Sequence, residues 1–202
     1  TSSTIEVAPE DDIPPTIVIN SPEARDYTRA EVLIINTTST DAGAGVLLHQ
    51  AALDDTIVNN GDELDLFFAR LGEHTLSVSS TDFVGNVSAE SINFHVIATV
   101  SSTISDVERA YTLGWIEREK AKDKLIRDLE RIIKLESKIE WLEDKLADKP
   151  KVIKRIEKIE KRIDRVLAKQ LLKEVERYQK IGWFNDGAYH LLAEDINWLL
   201  NN

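Results

Sequence analysis

The chain has no cysteine, no methionine, five prolines in 202 residues and few aromatics. Without cysteine there are no disulfides, no thiol nucleophile and no cysteine-based zinc site. No apolar run approaches the roughly 20 residues needed to span a bilayer. There is no signal-peptide pattern at the start. Translation begins with methionine, so its absence leads us to expect a fragment or processed product of a longer protein. What remains is 42% hydrophobic and 30% charged, a globular balance with enough apolar residues for a core.

Basic residues are also scarce in one half. Residues 1–100 hold 16 Asp/Glu against 3 Lys/Arg, whereas residues 101–202 hold 20 against 22. A composition step near residue 100 predicts two domains. The acidic first half argues against nucleic-acid binding, which depends on neutralising phosphates. The second half interleaves both signs, as a solvated helix surface does.

Residues 1–13 are polar and acidic and run into Pro14-Pro15, which reads as a linker. Residues 14–100 read as a β-sandwich. Thr16–Asn20, Glu31–Thr37, Val46–Leu53 and Thr56–Val58 are short β-prone runs, and Asn59-Asn60-Gly61 follows as a hairpin turn. Leu64, Leu66 and Phe68 alternate with Asp65 and Phe67. A period of two is clearest at Leu76 and Val78, and at Ile92, Phe94, Val96 and Ala98, with Asp82–Asn86 as the intervening turn. Pro14-Pro15-Thr16-Ile17, Asn60-Gly61, Leu71–Leu76 and Asp82 with Gly85-Asn86 resemble the bacterial immunoglobulin-like repeats of secreted and surface proteins. That resemblance implies a spacer or adhesive module placed beside other domains.

From about Ser102 the apolar period becomes three and four. A short helix ends at Leu113-Gly114, and a helix over about 117–147 carries a near-heptad stripe. Asp148-Lys149-Pro150 breaks it, with Asp148 as a possible cap, and a third helix runs to Ile181. Steps of four along its second half predict a stripe that drifts around the helix. A last helix covers about 186–200. Within this half one pattern occurs twice. Val107-Glu108-Arg109 with Gly114-Trp115-Ile116 is matched by Val175-Glu176-Arg177 with Gly182-Trp183-Phe184, at an offset of 68. Ala121/Ala188, Leu125/Leu192 and Asp128/Asp195 continue the match at 67. A duplicated unit is an architectural signature, arising where one copy cannot bury its apolar face alone. The predicted fold class is therefore an immunoglobulin-like β-sandwich followed by a four-helix bundle over 101–202, with a projecting antiparallel coiled-coil hairpin at about 117–181. The doubled Gly-Trp corner also resembles the helical C-terminal module called FIMAH, over about 102–134 and 165–200. The long charged middle departs from it as an insertion.

The sequence names no catalytic residue, cofactor or metal site. His49, His74, His95 and His190 are scattered and read as structural or solvated. Asp11, Asp12, Asp41, Asp54, Asp55, Asp62, Asp65 and Asp82 cluster at loops without EF-hand spacing and read as solvated acids, calcium being the sharper alternative. Gly43-Ala44-Gly45 lacks the third glycine and following helix of a phosphate loop. Gly114, Trp115, Gly182 and Trp183 are structural corners, the indoles plugging the core; Trp141 and Trp198 are candidate partner contacts. The expected role is a non-enzymatic, extracellular spacer and docking element. Its partners would be other domains of a parent protein and a cell-surface protein or glycan. An accessory carbohydrate- or cell-wall-binding region of a secreted hydrolase is the alternative.

Overall fold

The computed structural model describes residues 11–146 and 149–202. Most of the expected 1–13 linker, and Asp148, lie outside the described residues. The chain divides into two compact units. One comprises residues up to Tyr27, Val32–Asp65 and Gly72–His95; the other comprises Thr28–Glu31, Leu66–Leu71 and Val96–Asn202.

The first unit is all-β, as its alternating runs require. The strands are β1 (Thr16–Ser21), β2 (Asp26–Thr28), β3 (Val32–Ile34), β4 (Asn36–Thr40), β5 (Val46–Leu53), β6 (Thr56–Val58), β7 (Glu63–Asp65), β8 (Gly72–Asp82) and β9 (Val87–Ile97). A five-stranded sheet has the order β2-β9-β8-β5-β6, and β1–β4 and β3–β7 form antiparallel pairs. Leu76, Val78, Phe94 and Val96 face inward, as period two predicts. Three expectations change. The run 31–37 is not one strand: Ile35, fully buried, separates β3 from β4, which pair in different sheets. Asn59–Gly61 is a turn but not a hairpin turn, because β6 pairs with β5 and β7 with β3. The alternation at 64–68 stops at β7, and Leu66–Phe68 forms a 3-10 turn that buries Leu66 and Phe67 and exposes Phe68.

The second unit holds α1 (Val100–Thr112), α2 (Glu119–Leu146), α3 (Pro150–Arg165), α4 (Leu172–Lys180) and α5 (Asp186–Asn201). A π-helical turn, Val166–Leu171, joins α3 to α4, so four rods are built from five segments. Thr99 and Ser102 cap α1 reciprocally, Asn185 caps α5, and Lys149 precedes Pro150 at the start of α3. The apolar stripe does not drift. A π turn holds more residues per turn than an α-helix, so it absorbs the four-residue steps and keeps Leu167, Leu171, Val175 and Tyr178 buried on one side. The bundle core runs from Val107 and Leu125 to Leu192 and Ile196. Leu142, Val152 and Ile159 form a separate small core inside the α2–α3 hairpin.

Gly114 and Gly182 close α1 and α4 at φ of 73° and 74°. Each corner is a Schellman motif: Trp115 N–H donates to Ala110 C=O and Trp183 N–H to Tyr178 C=O, both at 2.9 Å. Alanine at either position forces a Cβ into the left-handed region. Gly114→Ala and Gly182→Ala should each cost about 1–2 kcal/mol, read as a lower urea midpoint with unchanged slope.

Candidate functional site

The two corners meet. Glu117 N–H donates to Trp183 C=O at 2.9 Å, Asn185 N–H donates to Trp115 C=O at 3.0 Å, and Ile116 and Phe184 form an antiparallel bridge. Each copy thus satisfies the backbone groups that the other leaves open after its Schellman turn. The indoles are not the plugs. Trp115 and Trp183 are half-buried, whereas Ile116 (1% exposed) and Phe184 (3%) fill the interior. Trp183 stacks on Tyr178, and Trp115 lies against Gly187 and Phe67. A flat ring with a polar N–H covers a corner without entering it.

The same symmetry places four acids that sequence reasoning missed as a set. Extending the offset of 68 one residue back equates Asp106 with Glu174, beside the pair Asp128/Asp195 already matched. Lys124 bridges Asp128 and Glu174, the latter at 3.2 Å, and Arg131 reaches Asp128 at 3.2 Å. At the equivalent position in the other copy Leu191 replaces Lys124 and Trp198 replaces Arg131, so that copy has no cation of its own there. Its cation is Arg29, from the Thr28–Glu31 segment. Arg29 is 2% exposed and donates to Asp195 Oδ1, Glu194 Oε2, Leu191 C=O, and Ala69 C=O at 2.9 Å. Glu194 Oε1 accepts from Leu71 N–H at 2.9 Å. Burial raises the Asp106 carboxyl to about 6, against the opposing pull of Arg29 and Arg109. Burial, with Asp106 and Glu194 nearby, pushes Asp195 well above its ordinary range despite Arg29.

In the β unit, Asp11, Asp41 and Asp82 are the loop acids brought together, with ligand-type oxygens within 4.8 Å of one another. Asp82 is fully buried. Its Oδ1 accepts from Val84, Gly85 and Asn86 N–H, and its Oδ2 accepts from the Asn86 amide. Asp41 Oδ1 accepts from Gly43 and Gly45 N–H. Three carboxylates at this spacing suit a hard cation such as calcium, but most of their oxygens already serve as acceptors for the turns. Asp54 instead accepts from His74, which is buried against Phe94, while Asp62 ties down Asn59. Burial alone would raise Asp82; the Asn86 amide and the three N–H donors outweigh it and hold the carboxyl below its ordinary value. Asp82 therefore stabilises the fold above the unfolded carboxylate range and loses that contribution as the pH falls. The Asp82→Ala variant should melt below wild type at pH 7, with the gap closing below about pH 4, by far-UV circular dichroism.

The bundle centre leaves a cavity of about 10 Å³, apolar apart from Thr103 and less than a water needs. The larger hollows are open. One of about 560 Å³ lies on the five-stranded sheet beside Gln50, Ser77, Ser79 and Glu90. Another, about 270 Å³, is lined by Phe68, Trp115, His190 and Glu194. Trp141 is exposed on the hairpin and Trp198 is half-buried. No helix among the described residues is long and apolar enough to cross a membrane.

No protein-family model matches the chain, and no curated protein does. Among solved structures it matches the fibronectin(III)-like modules of Clostridium thermocellum CbhA, at 20% identity and a TM-score of 0.34. The match covers 41% of this chain and 46% of that one, less than half of either.

Proposed function

We propose that this chain is a non-enzymatic structural or interaction module of a larger secreted or cell-surface protein. The β unit acts as a spacer of immunoglobulin-like type, and the helical unit, FIMAH-like with a lengthened hairpin, acts as a cap or docking element. The observation that carries this reading is the use made of buried polar groups in the helical unit. Its corners close on each other, the buried acids Asp195, Asp128 and Glu174 pair with Arg29 and Lys124, and its centre leaves a cavity of only about 10 Å³. Such an interior maintains shape. Deleting 101–202 from the longer parent protein should abolish surface retention or assembly; unchanged behaviour would remove the docking role. The second reading, a glycan- or cell-wall-binding accessory region, draws on the open hollow of mixed polar and apolar lining beside Gln50, Ser77 and Glu90. Polysaccharide pull-down with the whole chain separates the two.

A further inference from the structure

We propose that Asp106 and Asp195 form a proton-binding clasp, in which one proton held between the two carboxyls tightens the helical unit and its loss on alkalinisation loosens it. Asp106 and Asp195 are 1% and 0% exposed, and Oδ2 of each is buried with no donor directed at it. Yet the two side chains lie within hydrogen-bonding reach of each other. Two ionised carboxylates cannot hydrogen-bond; a carboxyl and a carboxylate can. A proton taken from solvent onto one Oδ2, and donated to the other residue, is the partner that satisfies both.

Charge counting points the same way. The groups facing the pair are Arg29 from the 28–31 segment, Arg109 on α1 and Glu194 on α5; Arg70 and His190 line the adjoining cleft. With both aspartates ionised, three carboxylates face two guanidiniums. With one proton bound, the charges balance. In the symmetry-related set Asp128 and Glu174 meet two cations, Lys124 and Arg131, although Glu174 Oε2 is also buried without a partner. The difference traces to three replacements between the copies, Leu191 for Lys124, Glu194 for Arg127 and Trp198 for Arg131.

Because both carboxyls are raised in the folded state, the native chain binds the proton more tightly than the unfolded chain does. Their contribution is fully present below the unfolded carboxylate range and is lost as the pH rises through the folded value, about 6 for Asp106. Stability of the helical unit should then fall from pH 5 to pH 8.

All four tryptophans, Trp115, Trp141, Trp183 and Trp198, lie in the helical unit, so their fluorescence reports its unfolding within the intact chain. Urea titrations of wild type and Asp106→Asn at pH 5 and pH 8 make the test, since asparagine carries a permanent donor. The wild-type unfolding constant should rise about tenfold more than the variant's over this interval. Parallel pH profiles would overturn the clasp. Carbon-detected NMR of the side-chain carboxyls in wild type needs no variant to fold. An aspartate titrating near pH 6 supports the proposal, and all aspartates titrating in the ordinary range refute it.

Discussion

Replacing Arg29 by methionine should cost the helical unit about 3–5 kcal/mol at neutral pH. Methionine keeps much of the arginine's apolar length, so packing is largely preserved and the loss isolates the charge. Its removal leaves Asp195 buried beside Asp106 and Glu194 without the guanidinium that hydrogen-bonds to it, and frees the C=O groups of Ala69 and Leu191. Lys124→Met is the internal control. Lys124 occupies the equivalent role in the other copy, but its side chain is 40% exposed and water can replace it. Solvent screening limits that loss to about 1 kcal/mol or less. Tryptophan-detected urea unfolding of both variants measures the contrast. Equal losses would show that burial does not distinguish the two sites.

Phe184→Ala should cost about 3–5 kcal/mol, and Ile116→Ala about 2–5 kcal/mol. Both residues are buried in the bundle core, next to the backbone bridge that joins the two corners. The losses should not add. Removing one partner lets the other corner relax, so a double-mutant cycle should return a coupling of about 0.5–3 kcal/mol. Trp183→Ala should cost less than Phe184→Ala despite the larger side chain, because the indole is only half-buried. The reverse order would restore the indole as the core plug.

The clasp and the corners have a common origin. Both are places where the two copies of the repeated segment come together. At the corners the copies differ little, Ile116 against Phe184, and the junction closes on itself. At the acid pairs the copies have diverged. One has Lys124 and Arg131, while the other has Leu191 and Trp198 at those positions and uses Arg29.

Sequence alone determined the parts of this protein that depend on local order. Period two placed Leu76, Val78, Phe94 and Val96 on an inner face, while spacings of three and four with Gly114 and Gly182 as stops marked the helices and the repeat. These signals lie within a few residues of one another, where backbone geometry dictates which side chains share a face. Tertiary structure alone decided the rest. Ile35 splits an apparently continuous strand because β3 and β4 take different partners. Ile116 and Phe184, not their neighbouring indoles, are the corner residues that the assembled bundle buries. Arg29 reaches Asp195 across 166 residues of chain, and burial is what turns ordinary acids into a proton site. Desolvation and long-range pairing depend on what surrounds a group in space, and no local pattern encodes that.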